Sequence, residues 1–338
     1  RVHAPWQRPV PCFLPSPSQK PDGEGGNGVV ISAKAIREVA VVQRTRRARR
    51  RFVPYWFILP SLLVLGLFIA YPVGYSFWLS FHDYQWNMPA FGRPWVGLRN
   101  YTDIPSDRDL MHSVRWTVTF AAFSVPIGFT LGLVLALLLN SPFLGRARGL
   151  LRGVFLIPMM LAGVVAGFMW RMLFDPEYGP INHLLGLVGV TPVSWFGDPM
   201  AARAAVIVAE LWLTTPFVML VLLAGLQGIP EELHEAARID GASAAQVFAH
   251  VTLPLLRSAI AIVLIIRTMD ALRAFDQIFV LTGGGPGMST TTVMYFDYLY
   301  AFSYYQMGRA SAVSFAVLVA IALITAVYLA VIRRADRG

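Results

Sequence analysis

Lysine is nearly absent from this 338-residue chain, where only Lys20 and Lys34 occur among 28 basic residues. A Walker phosphate loop needs Gly-Lys followed by Ser or Thr, and these two lysines precede Pro21 and Ala35, so that loop is excluded and with it ATP hydrolysis by this chain. Cys12 is the single cysteine, which excludes an intrachain disulfide and a cysteine-based metal cluster. His3, His82, His112, His183, His234 and His250 show no metal spacing and read as surface or loop residues. Charge is scarce as well. At 14% charged and 56% hydrophobic residues, one water-soluble core would leave too much apolar surface wet, so the bilayer is the natural solvent.

What is present falls into two parts. Residues 1–50 carry six prolines up to Pro21, then "DGEGGNG", and cannot bury enough apolar surface to offset ordering entropy; they are expected to form a disordered, basic cytoplasmic tail. A formal GxGxxG at Gly23, Gly25 and Gly28 follows no strand and carries no dinucleotide reading. Ile31 to Gln43 is expected as a short helix on the membrane surface. Residues 51–338 read as one domain of six spans, at about Tyr55–Phe81, Val114–Leu139, Val154–Leu173, Ala204–Leu226, Leu255–Leu281 and Ala310–Ile332. The first is too long for a signal-peptide core and lacks a small-residue cleavage site, so it is expected to stay uncleaved.

Arginine location sets the expected orientation. The run "RTRRARRR" before the first span, Arg146, Arg148 and Arg152 between the second and third, and Arg333, Arg334 and Arg337 at the end all fall on one side of alternating spans. That side is the cytoplasm, and both termini lie there.

Between the fourth and fifth spans stands "EELHEAARIDGASAAQVFAHVTLPLL". Pro230 suits a first helical turn, Glu231 and Glu232 suit the positive end of a helix dipole, and Gly241 suits a left-handed stop. Ser243 with Gln246 then predicts a capping box on a second helix. Alanines at 236, 237, 242, 244 and 245 keep the bend thin, so a foreign protein surface fits closely against it. A plain solvated connection is the alternative on these residues alone. DNA reading fails on charge, because Arg238 opposes four acids, a net of 1 − 4 = −3 between Glu231 and His250.

The order Glu235-Ala236-Ala237, three residues, Gly241, nine residues, Val251, one residue, Leu253-Pro254 resembles the signature of permease subunits of bacterial ABC importers, with Val251 where that family usually has isoleucine. "GIPEELHEAARIDGA" and "FDQIFVLTGGGPGMSTTTVMYFDYLYAFSYYQMGRASA" are similar to the carbohydrate-uptake branch, specifically its first permease partner. The resemblance covers about Tyr55 to Arg334 and implies an all-α polytopic membrane protein of about six transmembrane helices, the type I importer permease, in a bacterial cytoplasmic membrane. It further implies that segment 230–254 is the coupling helix-turn-helix, with Glu235, Ala236, Ala237, Asp240, Gly241, Leu253 and Pro254 docking on a cytoplasmic ATPase. The implied partners are a second homologous permease, two ATP-binding cassette subunits that hold ATP and Mg, an extracytoplasmic substrate-binding lipoprotein and membrane lipid. No cofactor, metal or nucleic acid is implied for this chain. A di- or oligosaccharide of the trehalose/maltose type is the implied solute, and glycerol-3-phosphate or its esters the alternative. A self-sufficient secondary transporter would show an inverted repeat with matched broken helices, which the sequence lacks.

The fifth span holds Arg267, Asp270, Arg273 and Asp276. Four unpaired charges facing lipid would cost on the order of 10 kcal/mol, so they pair or face an interior. Two readings stay open: an ion-pair ladder that fastens the helix, or a solute path in which Arg273 and Asp276 bind hydroxyls and Phe275 stacks on a sugar face. Glu210, Trp212, Thr214 and Thr215, near Pro216, are further path candidates from the fourth span. "TGGGP", Thr282 to Pro286, is expected to be the breaker that ends the fifth span.

Overall fold

The computed structural model describes residues 58–145 and 147–335. The tail, the Ile31–Gln43 helix, the glycine motif and the arginine run before the first span lie outside the described residues. Five helices are long and apolar enough to cross a bilayer: α1 (Ile58–Leu79), α2 (Arg108–Asn140), α6 (Pro199–Gln227), α8 (Ala244–Leu272) and α11 (Met307–Ala335, apolar to Val331). The predicted third span is a bent pair, α3 (Ala147–Leu156) with its following turn and α4 (Gly163–Leu173), turned by 100° at the break, and it makes a sixth crossing if the pair is one span. The shorter helices include α5 (Pro180–Leu187), α7 (Glu231–Ile239), α9 (Asp276–Leu281) and α10 (Val293–Tyr298). The packing below lies within residues 70–338, one compact unit.

Helix starts follow local chemistry. Asp107 caps α2 by accepting from the N–H groups of Asp109 and Leu110 at 3.0 Å each, and Asp198 caps α6 through Ala201 N–H at 2.8 Å, with Pro199 next. Both helices keep an internal proline, Pro126 and Pro216, and run on through it. They pack tightly because α2 is thin where they meet. A methyl placed on Gly132 would stand 2.5 Å from Val218 Cγ1 and 3.0 Å from the Met219 backbone nitrogen. Around that contact Ala136, Leu139, Met219, Leu222 and Leu223 are buried, and Leu256 and Val263 of α8 close the cluster. Gly132→Ala is expected to destabilise by about 1–2 kcal/mol, the overpacking outweighing the roughly 1 kcal/mol gained in helix propensity. A thermal midpoint in detergent equal to that of the unsubstituted protein would refute the close approach.

Two predicted spans are not continuous. In the third, Pro158 lacks an N–H for the helix ladder, a 3-10 turn Pro158–Met160 follows, and Leu161 and Ala162 are extended before α4 begins. The fifth corrects the sequence expectation at both ends. It starts at Ala244, so the second helix predicted after the bend is the first turn of the span itself. It stops at Leu272 rather than near Leu281, and α9 begins only after the non-helical Arg273-Ala274-Phe275. "TGGGP" is therefore not the breaker of this span. It forms a separate turn after α9, where Gly284 at φ +79° leaves no room for a side chain against Thr291 and Tyr295.

Helix breaks at such depth persist only where other groups satisfy the freed backbone. Here Thr292 Oγ1 donates to the Ala274 carbonyl at 2.7 Å, and Arg171 Nη1 donates to the Val280 carbonyl at 2.9 Å. Glycines of α4 let α9 lie close: a methyl on Gly163 would meet Asp276 Cβ at 3.1 Å, and one on Gly167 would meet Val280 Cβ at 3.1 Å.

Candidate functional site

The acidic segment folds as a helix, an elbow and a span. Pro230 occupies the cap position just before α7, and Glu231 and Glu232 fill the first turn. Gly241 has φ +81°, its N–H donates to the Arg238 carbonyl at 3.1 Å, and Ala242 N–H donates to the Ala237 carbonyl at 3.0 Å. That pair of bonds is a Schellman stop. The capping box predicted beyond it is formed, with Ser243 N–H donating to Gln246 Oε1 at 2.8 Å and Ser243 Oγ accepting from Gln246 N–H at 3.4 Å.

After the box, Phe248–Thr252 forms a π turn, with Leu253 N–H reaching the Phe248 carbonyl just before Pro254, which has no N–H to give. His234 Nε2 lies 3.2 Å from Thr252 Oγ1, so α7 is tied to this turn across the elbow. Glu235, Ala236, Asp240, Gly241, Leu253 and Pro254 are exposed, while Ala237 is half-buried. Sequence reasoning missed Ile239, which is 86% exposed beside the elbow, and Leu233 at 43%. The signal was present in the sequence as apolar residues on an otherwise polar helix.

The second cluster surrounds the break after α8. Arg267, buried in the wall, pairs with buried Glu210 of α6 through its Nη2, and Gln277 Nε2 donates to the other carboxylate oxygen at 2.7 Å. Asp270 stands 3.6 Å from Arg267 Nη1 and 3.1 Å from Arg273 Nη2, extending the chain of charges outward. Exposure rises along it, from 6% for the Arg267 side chain to 54% for Arg273. Asp276 makes no ion pair among the described residues. A cavity of about 290 Å³ brings together Thr214, Arg267, Asp270, Arg273, Phe275 and Asp276.

The sequence pattern of the family described as "Binding-protein-dependent transport system inner membrane component" matches residues 128–338, which contain both the elbow and the charged cavity. The chain belongs to that family. Among the permease's relatives, the trehalose/maltose transport system permease protein of Thermococcus litoralis is 45% identical over 280 residues, 82% of this chain and 92% of its own. The trehalose transport system permease protein of Mycobacterium tuberculosis is 36% identical over 301 residues, covering 88% and 95%. The sulfoquinovosyl glycerol transport system permease protein of Agrobacterium fabrum is 36% identical over 288 residues, covering 85% and 92%. In fold, the permease is similar to a chain in the crystal structure of a bacterial ABC transporter that imports the acidic polysaccharide alginate, with a TM-score of 0.75 at 23% identity, covering 86% of this chain and 99% of that one. The permease is thus a mostly helical membrane component of the type I importer fold.

Of the two readings of the fifth-span charges, the permease shows the ion-pair ladder. The ladder exists from Glu210 through Arg267 and Asp270 to Arg273, and its outer end opens into the cavity. Thr214 lines that cavity, yet its hydroxyl already donates to the Glu210 carbonyl at 2.7 Å. Trp212 is not among the lining residues and stands edge-on to Trp170, with centroids 5.8 Å apart. Phe275 packs against Phe279 at 5.5 Å and Tyr298 at 5.4 Å, so its ring is shared with an aromatic group and not open on both faces. Sequence reasoning missed Gln277, because a neutral side chain beyond the helix break gave no charge to account for.

Proposed function

We propose that this chain is one of two permeases in an ATP-driven importer of a di- or oligosaccharide, and that its elbow receives the stroke of a cytoplasmic ATPase. The observation that carries the reading is the exposed, acidic α7–Gly241–α8 elbow, because α8 continues as one helix from the elbow to the charged cavity. A push on a continuous helix arrives at its far end. Two ATP-binding cassette subunits supply hydrolysis with their own ATP and Mg, and this chain holds no cofactor. A second homologous permease completes the pathway, and an extracytoplasmic binding protein delivers solute. The arginine-rich loops and both termini face the cytoplasm. The glycosidic solutes named for the relatives support a sugar cargo, and the cavity offers what a sugar needs: charged hydrogen-bonding groups next to an aromatic surface.

Coupling is tested by crosslinking. With Cys12 replaced by serine, a cysteine in place of Asp240 is expected to crosslink to a co-expressed nucleotide-binding subunit, and liposomes holding all subunits are expected to take up sugar only with ATP. ATP-independent uptake by this chain alone would reject the reading. For the cavity, Asp276→Ala is expected to raise the apparent KM for uptake about ten-fold or more, since a hydrogen bond to a charged group contributes about 1.5–3 kcal/mol and each 1.4 kcal/mol is ten-fold. Unchanged apparent affinity for every solute tested would remove Asp276 from the path.

A further inference from the structure

At the end of the bundle opposite the elbow, two cavities between α2 and α11 adjoin, with Ile104, Leu110 and Val313 lining both. The first, about 250 Å³, is of mixed character and sits at the first turns of the two helices, beside Asp103, Asp107, Tyr300 and Arg309. The second, about 230 Å³, is apolar and runs down the helices between Val114 and Val118 on one side and Val317, Ala320 and Ile324 on the other. From Val313 to Ile324 a helix rises about 16 Å, close to half of a ~30 Å hydrocarbon core. The groove has the length of one leaflet. It also opens sideways, since Val118 is 56% exposed while the floor residues Leu110, Thr117 and Val293 are buried.

The polar end carries charges of both signs, and Asp103 Oδ2 already pairs with Arg99, whose Nε lies 3.8 Å away, as well as with Arg309. Arg309 Nη2 lies 3.6 Å from Asp103 Oδ2, and both side chains are more than two-fifths exposed. Asp107 is committed elsewhere, capping α2 through one oxygen and accepting from the Tyr300 hydroxyl through the other. Burial works to raise its pKa, but the Tyr300 and backbone hydrogen bonds prevail and hold it below the ordinary carboxylate range, so it stays ionised. An anionic headgroup would therefore meet two carboxylates, and a cationic one would meet Arg309 and Arg99. A headgroup bearing both signs matches.

We propose that this site binds one zwitterionic phospholipid with a primary amine, its phosphate at Arg309, its ammonium at Asp103 and one acyl chain in the α2–α11 groove. Such a lipid wedged between α2 and α11 sets how easily these two spans part, independently of which solute is carried. The test is native mass spectrometry of the full chain extracted in mild detergent with equal phosphatidylethanolamine, phosphatidylcholine and phosphatidylglycerol. One phosphatidylethanolamine per chain is expected to be retained preferentially. Retention is expected to weaken at least five-fold in Arg309→Gln and in Ala320→Phe, which fills the groove, and to persist in Val327→Phe, elsewhere on α11. Should Ala320→Phe fail to accumulate in the membrane, Arg309→Gln decides alone. Equal retention of phosphatidylglycerol, undiminished binding in the variants, or a photocrosslinker at position 320 capturing a protein chain in place of lipid would each overturn the proposal.

Discussion

Glu210→Ala is expected to give the largest loss of stability of any single substitution in the charged cluster, about 3–5 kcal/mol, because it leaves the Arg267 guanidinium buried without its main partner. Arg267 is 5% exposed and Glu210 4%, so water entering from the cavity that both residues line replaces the missing carboxylate only in part. Asp270 offers partial compensation only, being 3.6 Å from the other guanidinium nitrogen and itself shared with Arg273. Gln277 loses its acceptor in the same substitution, which adds a second unsatisfied group. The measurement is the thermal midpoint of the purified protein in detergent, together with the amount recovered folded from the membrane.

The converse substitution separates pairing from packing. In Glu210→Leu combined with Arg267→Met both charges vanish together, and the double variant is expected to recover most of the stability, since replacing a buried pair with apolar groups is often neutral or favourable. Transport is not expected to return with it, because the inner end of the ladder that positions Asp270 and Arg273 at the cavity would be gone. A Glu210→Ala protein melting within a degree of the unsubstituted chain would mean that the pair does not hold α6 to α8.

Gly241→Asp is expected to insert and fold while uptake falls ten-fold or more and ATP hydrolysis by the partner subunit continues unproductively. The separation follows from geometry. A Cβ on Gly241 would meet nothing within 4 Å, so no collision disturbs the bundle, and the cost is confined to the left-handed backbone at φ +81°, about 1–2 kcal/mol for a residue with a side chain. That cost falls on the two bonds of the helix stop, the only hinge between α7 and α8. Three substitutions order the cause: Gly241→Asn, tolerant of this conformation and uncharged, is expected to keep most uptake, Gly241→Asp to lose it, and Gly241→Val to lose most. Normal uptake by Gly241→Asp would show that the angle of the elbow carries no force.

Much of the elbow was legible because every signal in it is local. Glu231 and Glu232 at a helix start, Gly241 at the stop and the Ser243–Gln246 box act within a few residues, and all appear in the folded chain as read. The third and fifth spans were misread as unbroken because hydropathy averages over a window. Pro158 and the Arg273–Phe275 break sit inside passages whose mean stays apolar. What keeps these breaks stable is distant in sequence: Thr292 reaches Ala274, and Arg171 reaches Val280.

By itself, the sequence determined that this chain lives in lipid, crosses it about six times, lacks the lysine loop of an ATPase and carries an acidic elbow on one side. Those properties depend on composition and on interactions between near neighbours. Only the tertiary structure decided that Arg267 is answered by Glu210, that Asp276 rests against Gly163, and that a pocket lined by charged groups adjoins an apolar groove. A buried charge demands a partner, but one sequence does not say which helix supplies it. That choice is made when the small residues of α2 and α4 let their neighbours approach and side chains tens of residues apart are brought within hydrogen-bonding distance.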